Sequence, residues 1–275
     1  MASNFNLKAR LKAAGIHLLI SACIAALAAA LVFGLWYPWP YRVISGGQAL
    51  FVLLISVDVV LGPLLTFAVF NLSKGWPHLR RDLIVIAALQ LAGLAYGLYT
   101  VYQVRPVLLA FEVDRFRVVA NADVLHQELA QALPEFKSLS LTGPKLLATR
   151  TAKTNEEKFK AVDLALQGFD VSTRPLFWQP YEQARAAVLA RARPFSALEK
   201  QYPNRTKELQ SAIQSTGKTA EQLRFLPLIA RKQDWIVLLD GTTAQVLGFA
   251  QFEGFFSEGT DIFCLTNPIK SGLVQ

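Results

Sequence analysis

The chain has 275 residues, 53% of them hydrophobic, and a formal net charge of +8. That charge does not require a nucleic-acid partner: Lys8, Arg10, Lys12, Lys74, Arg80 and Arg81 flank apolar segments, and no basic stripe with interleaved aromatics follows them. Two cysteines, Cys23 and Cys264, and three histidines argue against a disulfide framework and a His-based metal centre.

The apolar residues are unevenly spread. Residues 1–102 hold seven Lys/Arg and two Asp/Glu, whereas residues 103–275 hold 21 and 18, a balance normal for a water-exposed domain. Three early segments are long enough to cross a hydrocarbon core of about 30 Å as helices. They are expected at about 15–37, 49–72 and 83–104, which makes residues 1–104 a membrane domain. The first has the basic start of a signal peptide. Its apolar stretch is long for one and ends in Trp36-Tyr37-Pro38-Trp39-Pro40, so it reads as a retained anchor. Those aromatic rings suit a bilayer interface. The N-terminal flank and the loop Ser73–Arg81 are basic, while the first loop carries only Arg42. The N-terminus is therefore expected in the cytoplasm and the chain after Val104 on the other side, the periplasm of a Gram-negative cell.

Asp58 interrupts an otherwise uncharged run from Val43 to Ser73. A charged residue near a bilayer centre costs about 2.5–3.5 kcal/mol on insertion scales, so it faces other helices and has a task there. The sequence leaves three readings open: a proton or ion relay, a polar contact that fixes helix packing, and contact with a partner helix. Gly62-Pro63 follows one turn later, and proline frees a carbonyl about one turn before it. That carbonyl, with Gln90 and Tyr96 of the third span, is the expected set of partners for Asp58. Gly93 and Gly97 form a small-xxx-small pair suited to close helix approach.

Residues 105–275 read as one α+β domain. Arg105-Pro106 ends the third span. Val107–Phe111 and Arg115–Val119 suit strands, with Asp114-Arg115 as an ion pair in the turn between them. Asn121–Leu133 has helical spacing, and Ser138–Leu141 and Lys145–Thr149 are short strand candidates. Thr154 and Glu157 resemble a capping box for a helix to about Leu166, with Phe159, Val162 and Leu166 on one apolar face and Gly168 as its stop. Ser172–Pro175 reads as loop. Helices are expected at Tyr181–Arg193, Ser196–Tyr202 and Asn204–Ser215. Arg224–Ala230 and Trp235–Leu239 are strand-like, and Asp240-Gly241 signals a hairpin returning over Thr243–Phe249. Phe252–Phe263 is ambiguous.

No nucleophile elbow, phosphate loop or His-Glu-x-x-His occurs, so neither an enzyme nor a cofactor is expected. His126 reads as a surface or boundary residue on its predicted helix, and Cys264 as buried rather than reactive.

The membrane half resembles the type IV pilin accessory proteins of the TfpX/TfpZ family. The resemblance rests on Arg10-Leu11-Lys12-Ala13, Trp36-Tyr37-Pro38, Gly46-Gly47 and the run Asp58-Val59-Val60-Leu61-Gly62-Pro63-Leu64-Leu65-Thr66. Asp82, Gln90, Ala95-Tyr96-Gly97, Arg105-Pro106 and Asp114-Arg115-Phe116 continue it. It covers roughly residues 8–120. It implies an inner-membrane protein, without enzymatic activity, that assists a type IV pilin and affects how much pilus reaches the surface. On that reading Asp58, Gly62, Pro63, Thr66, Gln90 and Tyr96 are contacts within the bundle or with a partner. Trp36, Tyr37, Pro38, Arg105, Pro106, Asp114 and Arg115 would form the interface and domain junction. Expected partners are pilin or assembly-platform proteins, the lipid bilayer and a possible second copy. The rival from another class is a membrane-anchored sensor with a periplasmic ligand-binding domain.

Overall fold

A computed structural model describes residues 6–71, 75–231 and 233–256. The N-terminal half contains helix α1 over Leu7–Leu31, continued by a π turn over Val32–Trp36, a short α2 over Tyr41–Ile44, α3 over Gly47–Val69 and α4 over Trp76–Gln103. α1, α3 and α4 are each long and apolar enough to cross a membrane. Their surfaces are apolar on the outside too, with Leu19 69% and Leu89 68% exposed, as lipid-facing residues are. The chain is thus a membrane anchor followed by a mixed-sheet domain. α4 begins earlier than expected because Pro77 is tolerated in a helix's first turn. Arg80, Arg81 and Asp82 are helical residues ahead of the apolar part.

α3 packs against both α1 and α4. At one end Arg10 Nη1 donates to the carbonyls of Phe67 and Ala68 at 3.4 and 3.2 Å. At the other, the Tyr37 hydroxyl donates to the Val101 carbonyl at 2.9 Å. The fully buried Tyr37 ring lies over Gly47, where a Cβ would come within 2.3 Å of it. Gly46 supplies the left-handed turn that opens α3, with φ +73°.

The remaining elements build one sheet. β1 spans Pro106–Glu112, β2 Arg115–Ala120, β3 Lys145–Thr149, β4 Trp178–Gln179, β5 Arg193–Pro194, β6 Leu223–Ile229, β7 Trp235–Asp240 and β8 Val246–Ala250. The order is β4-β3-β1-β2-β6-β7-β8, with β5 on β6. β1/β3 and β2/β6 pair in parallel and the other neighbours antiparallel. The early and late hairpins therefore join side by side. α5 covers Asn155–Leu166, α6 Arg185–Arg191, α7 Phe195–Gln201 and α8 Thr206–Thr216. β1 is buried at every position. Alternation sends Leu109 and Phe111 into one core with Phe116, Val188, Leu226 and Val237, and Leu108 and Ala110 into another with Leu147 and Trp178. Ile44, from the first loop of the membrane half, is fully buried in the first of these cores.

Several expectations change. Asn121–Leu133 is not one helix but the 3₁₀ turns Asn121–Asp123 and His126–Gln131, followed by Pro134–Phe136. Val124 is extended, and the Leu125 N–H donates to Thr173 across the fold at 2.9 Å, so tertiary contacts override the local spacing. Ser138–Leu141 is loop, because β3 occupies the edge of β1. Tyr181–Arg193 opens as a 3₁₀ turn and ends at Arg191, since Arg193–Pro194 pair with β6. The last hairpin has a longer loop than Asp240-Gly241 alone implies: Asp240 Oδ1 accepts from the N–H of both Thr242 and Thr243 at 2.9 Å. Lys74, Cys264 and the stretch after Phe256 lie outside the described residues.

Candidate functional site

The midpoint of the 23-residue α3 is Asp58. It lies about 16 Å from either end of the helix at 1.5 Å per residue. Its side chain opens into a cavity of about 200 Å³. α3 contributes Ile55 and Asp58, α1 contributes His17 and Ser21, and α4 contributes Ala87 and Gln90. Asp58 Oδ2 is buried and has no hydrogen-bond partner among the described residues.

Gln90 reaches Asp58, but at the main chain: its Nε2 donates to the Asp58 carbonyl at 3.0 Å. Gly62 makes this possible, because a Cβ there would fall 2.1 Å from Gln90 Nε2. Pro63 sits inside α3 one residue later. Tyr96 does not join them. It is 74% exposed, because six residues beyond Gln90 a helix has turned to a different face. Of the glycine pair, Gly97 meets Leu54 at 2.0 Å for an added Cβ, whereas Gly93 faces open space.

Thr66 is buried, and its Oγ1 lies 2.5 Å from His17 Nδ1, tying α1 to α3. His17 is the site residue that sequence reasoning passed over. Its signal was a lone polar ring in an uncharged span.

The junction with the sheet domain is built from the predicted residues and from others. The Trp36 and Tyr102 rings meet at 5.1 Å. Pro38 packs so closely on Gly143 that a Cβ there would be 2.6 Å from Pro38 Cγ. Arg105 is buried. It donates to the Tyr102 carbonyl at 2.9 Å, with its guanidinium 3.8 Å from the Tyr102 ring centroid. Pro106 then opens β1 opposite Ala120. Tyr41 meets Phe249 at 5.4 Å between ring centroids. Asp114 and Arg115 form the expected ion pair at 2.6 Å, but they are not at this junction. They cap the far end of the β1–β2 hairpin, about 20 Å of strand away. There Arg115 lies 4.9 Å from the Phe255 ring centroid.

In the sheet domain, the buried charges of Arg174, Glu128 and Glu112 are engaged in pairs. Arg174, 1% exposed, pairs with Glu128 at 2.7 Å and lies over Phe177. Glu112 accepts from Arg117 at 2.9 Å and from the Ser172 N–H at 3.2 Å. Burial pushes the Tyr181 hydroxyl up, and that hydroxyl donates to the Ala244 carbonyl at 2.7 Å. α5 has the predicted cap, with Thr154 Oγ1 accepting from the Glu157 N–H at 3.1 Å. Its predicted apolar face faces outward, however: Phe159 is 76% and Leu166 84% exposed.

The family model described as "FimB: Fimbrial assembly protein FimB" matches residues 5–46. Among curated proteins, the chain is similar to the fimbrial assembly protein of serogroup I from Dichelobacter nodosus. The two are 39% identical over 231 residues, covering 83% of this chain and 90% of the relative. The serogroup E1 protein of the same organism is 38% identical over 231 residues with the same coverage. The protein of serogroups C1 and C2 is 44% identical over 121 residues, 44% of this chain and 92% of that relative. No solved structure matches.

Proposed function

This chain belongs to the fimbrial assembly protein family, and from that premise we propose that it is a pilin accessory protein of the bacterial inner membrane. It binds the fimbrial subunit or its assembly platform and sets how much subunit is held stable and enters the fibre. The observation that carries this reading is the joined architecture: a three-helix anchor whose first loop and sheet domain share one end and one core. A type IV pilin subunit has an apolar helix in the bilayer and a folded head outside it. A protein with rigidly connected surfaces in both layers can engage both at once. The basic residues Arg10, Arg80 and Arg81 lie at the end of the bundle away from the sheet, which supports a cytoplasmic N-terminus and a periplasmic sheet domain. Its role is one of binding rather than catalysis.

The test is in-cell crosslinking of the tagged full-length protein, read by mass spectrometry, alongside deletion of its gene. Crosslinked peptides from fimbrial subunit or platform proteins, with a several-fold fall in surface fimbriae on deletion, are expected. Unchanged fimbriae, or self-crosslinks alone in cells rich in subunit, would overturn the reading.

A further inference from the structure

α1 and α4 each pack on α3 but barely touch one another except where they converge near Tyr37 and Val101. Between them runs a cleft with α3 as its floor. Ile20 and Leu91, on its two walls, are both more than half exposed, so the cleft opens sideways toward lipid. Asp58 lies in the floor with Oδ2 buried and unpartnered among the described residues. In hydrocarbon no water supplies the missing bond, and an unsatisfied polar group there costs several kcal/mol.

We infer that the cleft is the seat of a fourth transmembrane helix, belonging to another polypeptide, which places one hydrogen-bonding side chain against the Asp58 carboxyl group at mid-bilayer. Three observations select this occupant. The depth of Asp58, about 16 Å from either helix end, puts it beyond a lipid headgroup. The cavity of about 200 Å³ is smaller than the roughly 300–1,000 Å³ of small-molecule sites and takes a single side chain. The walls are otherwise apolar apart from His17, Ser21 and Gln90, so one polar group on an apolar helix is the complementary surface. Gln90 holds the Asp58 main chain, and His17 is engaged by Thr66, which leaves the carboxylate oxygen for the incoming group. The inference deepens the proposed function by naming what the bundle grips, and it rests on that reading for the identity of the partner as a fimbrial component.

The experiment places a photo-crosslinking residue at Leu91 of the full-length protein in cells and sequences the captured peptides. A peptide from a transmembrane segment of another protein, with a polar residue in its apolar run, is expected. Asp58→Ala should lower its yield about tenfold, and Asp58→Asn should hold it within about threefold. Ala25→Leu and Ala87→Leu fill the cleft while leaving Asp58 in place, and should lower the yield equally with unchanged protein levels. Crosslinks only to lipid or to a second copy, or a yield indifferent to the variants, would overturn the inference. Fimbrial peptides captured from a sheet-domain probe, with none at Leu91, would overturn it while sparing the function proposed above. A captured helix from outside the fimbrial system would keep the cleft as a helix seat and overturn the fimbrial reading.

Discussion

The Tyr37 hydroxyl and the Val101 carbonyl, 64 residues apart, are joined by a buried 2.9 Å hydrogen bond that fixes the exit of α1 to the end of α4. Removing the hydroxyl in Tyr37→Phe is expected to cost about 1 kcal/mol, the net worth of an ordinary hydrogen bond. Gly47→Val should cost more, because the ring already fills the space a side chain would need. Thermal unfolding in detergent reads both, and a Gly47→Val protein as stable as the parent would contradict the packing described.

Gly62→Ala drives a Cβ into Gln90 and ejects its side chain from the Asp58 carbonyl. Gln90→Ala loses the same bond without the clash. The two substitutions therefore should not add: a double-mutant cycle is expected to show coupling of about 1 kcal/mol, within the range for residues in contact. Strict additivity would show that the two do not meet.

Arg174 and Glu128 form a buried pair. Breaking it with Arg174→Met leaves an unpaired buried carboxylate and should cost about 3–5 kcal/mol, while replacing both residues with apolar ones should recover much of that loss. Urea titration of the full-length protein followed by Trp fluorescence compares the three.

Acid sensitivity should arise partly from two carboxylates. Asp240 is held well below the usual carboxylate range, first by Lys218 and then by Thr242 and Thr243. Glu157 is held at about 2, first by Arg150 and then by the Lys153 N–H. For both, the folded-state value is depressed relative to the unfolded chain. Their contribution is therefore fully present above the unfolded value of about 4 and is lost as pH falls through the folded one. Stability measured from pH 7 to pH 2 should fall less steeply in Asp240→Asn than in the parent. An equal slope would remove Asp240 from the account.

Phe159 and Leu166 look like core residues by spacing but stand in the open on α5. Phe159→Ser and Leu166→Ser should change stability by no more than about 0.5 kcal/mol, the usual effect of a surface substitution. A loss of several kcal/mol would mean that another element covers this face.

What the sequence disclosed followed the range of the interaction. The spans were legible because hydropathy accumulates over neighbouring residues, and Asp58 because one charge stands out in an uncharged run. β1 and β2 were legible from local composition. The His17–Thr66 and Arg174–Glu128 pairs were not, because their members are 49 and 46 residues apart and nothing local links them. The spacing of Asn121–Leu133 was real, but the bond from Leu125 to Thr173 outweighed it. On α5 the periodicity places Phe159, Val162 and Leu166 on one face, but no pattern within a helix reveals whether anything packs on that side.

Ile44 reaches the sheet core from a loop that precedes the second and third spans, while Arg105, just after α4, donates to the Ser140 carbonyl of the sheet domain at 3.4 Å. The sheet domain is thereby held at two points, like a door on a pair of hinges instead of a flag on a string. A push or pull on the head is delivered to α1 and α4 as a tilt, and a helix wedged between those two would be felt at the head as a turn.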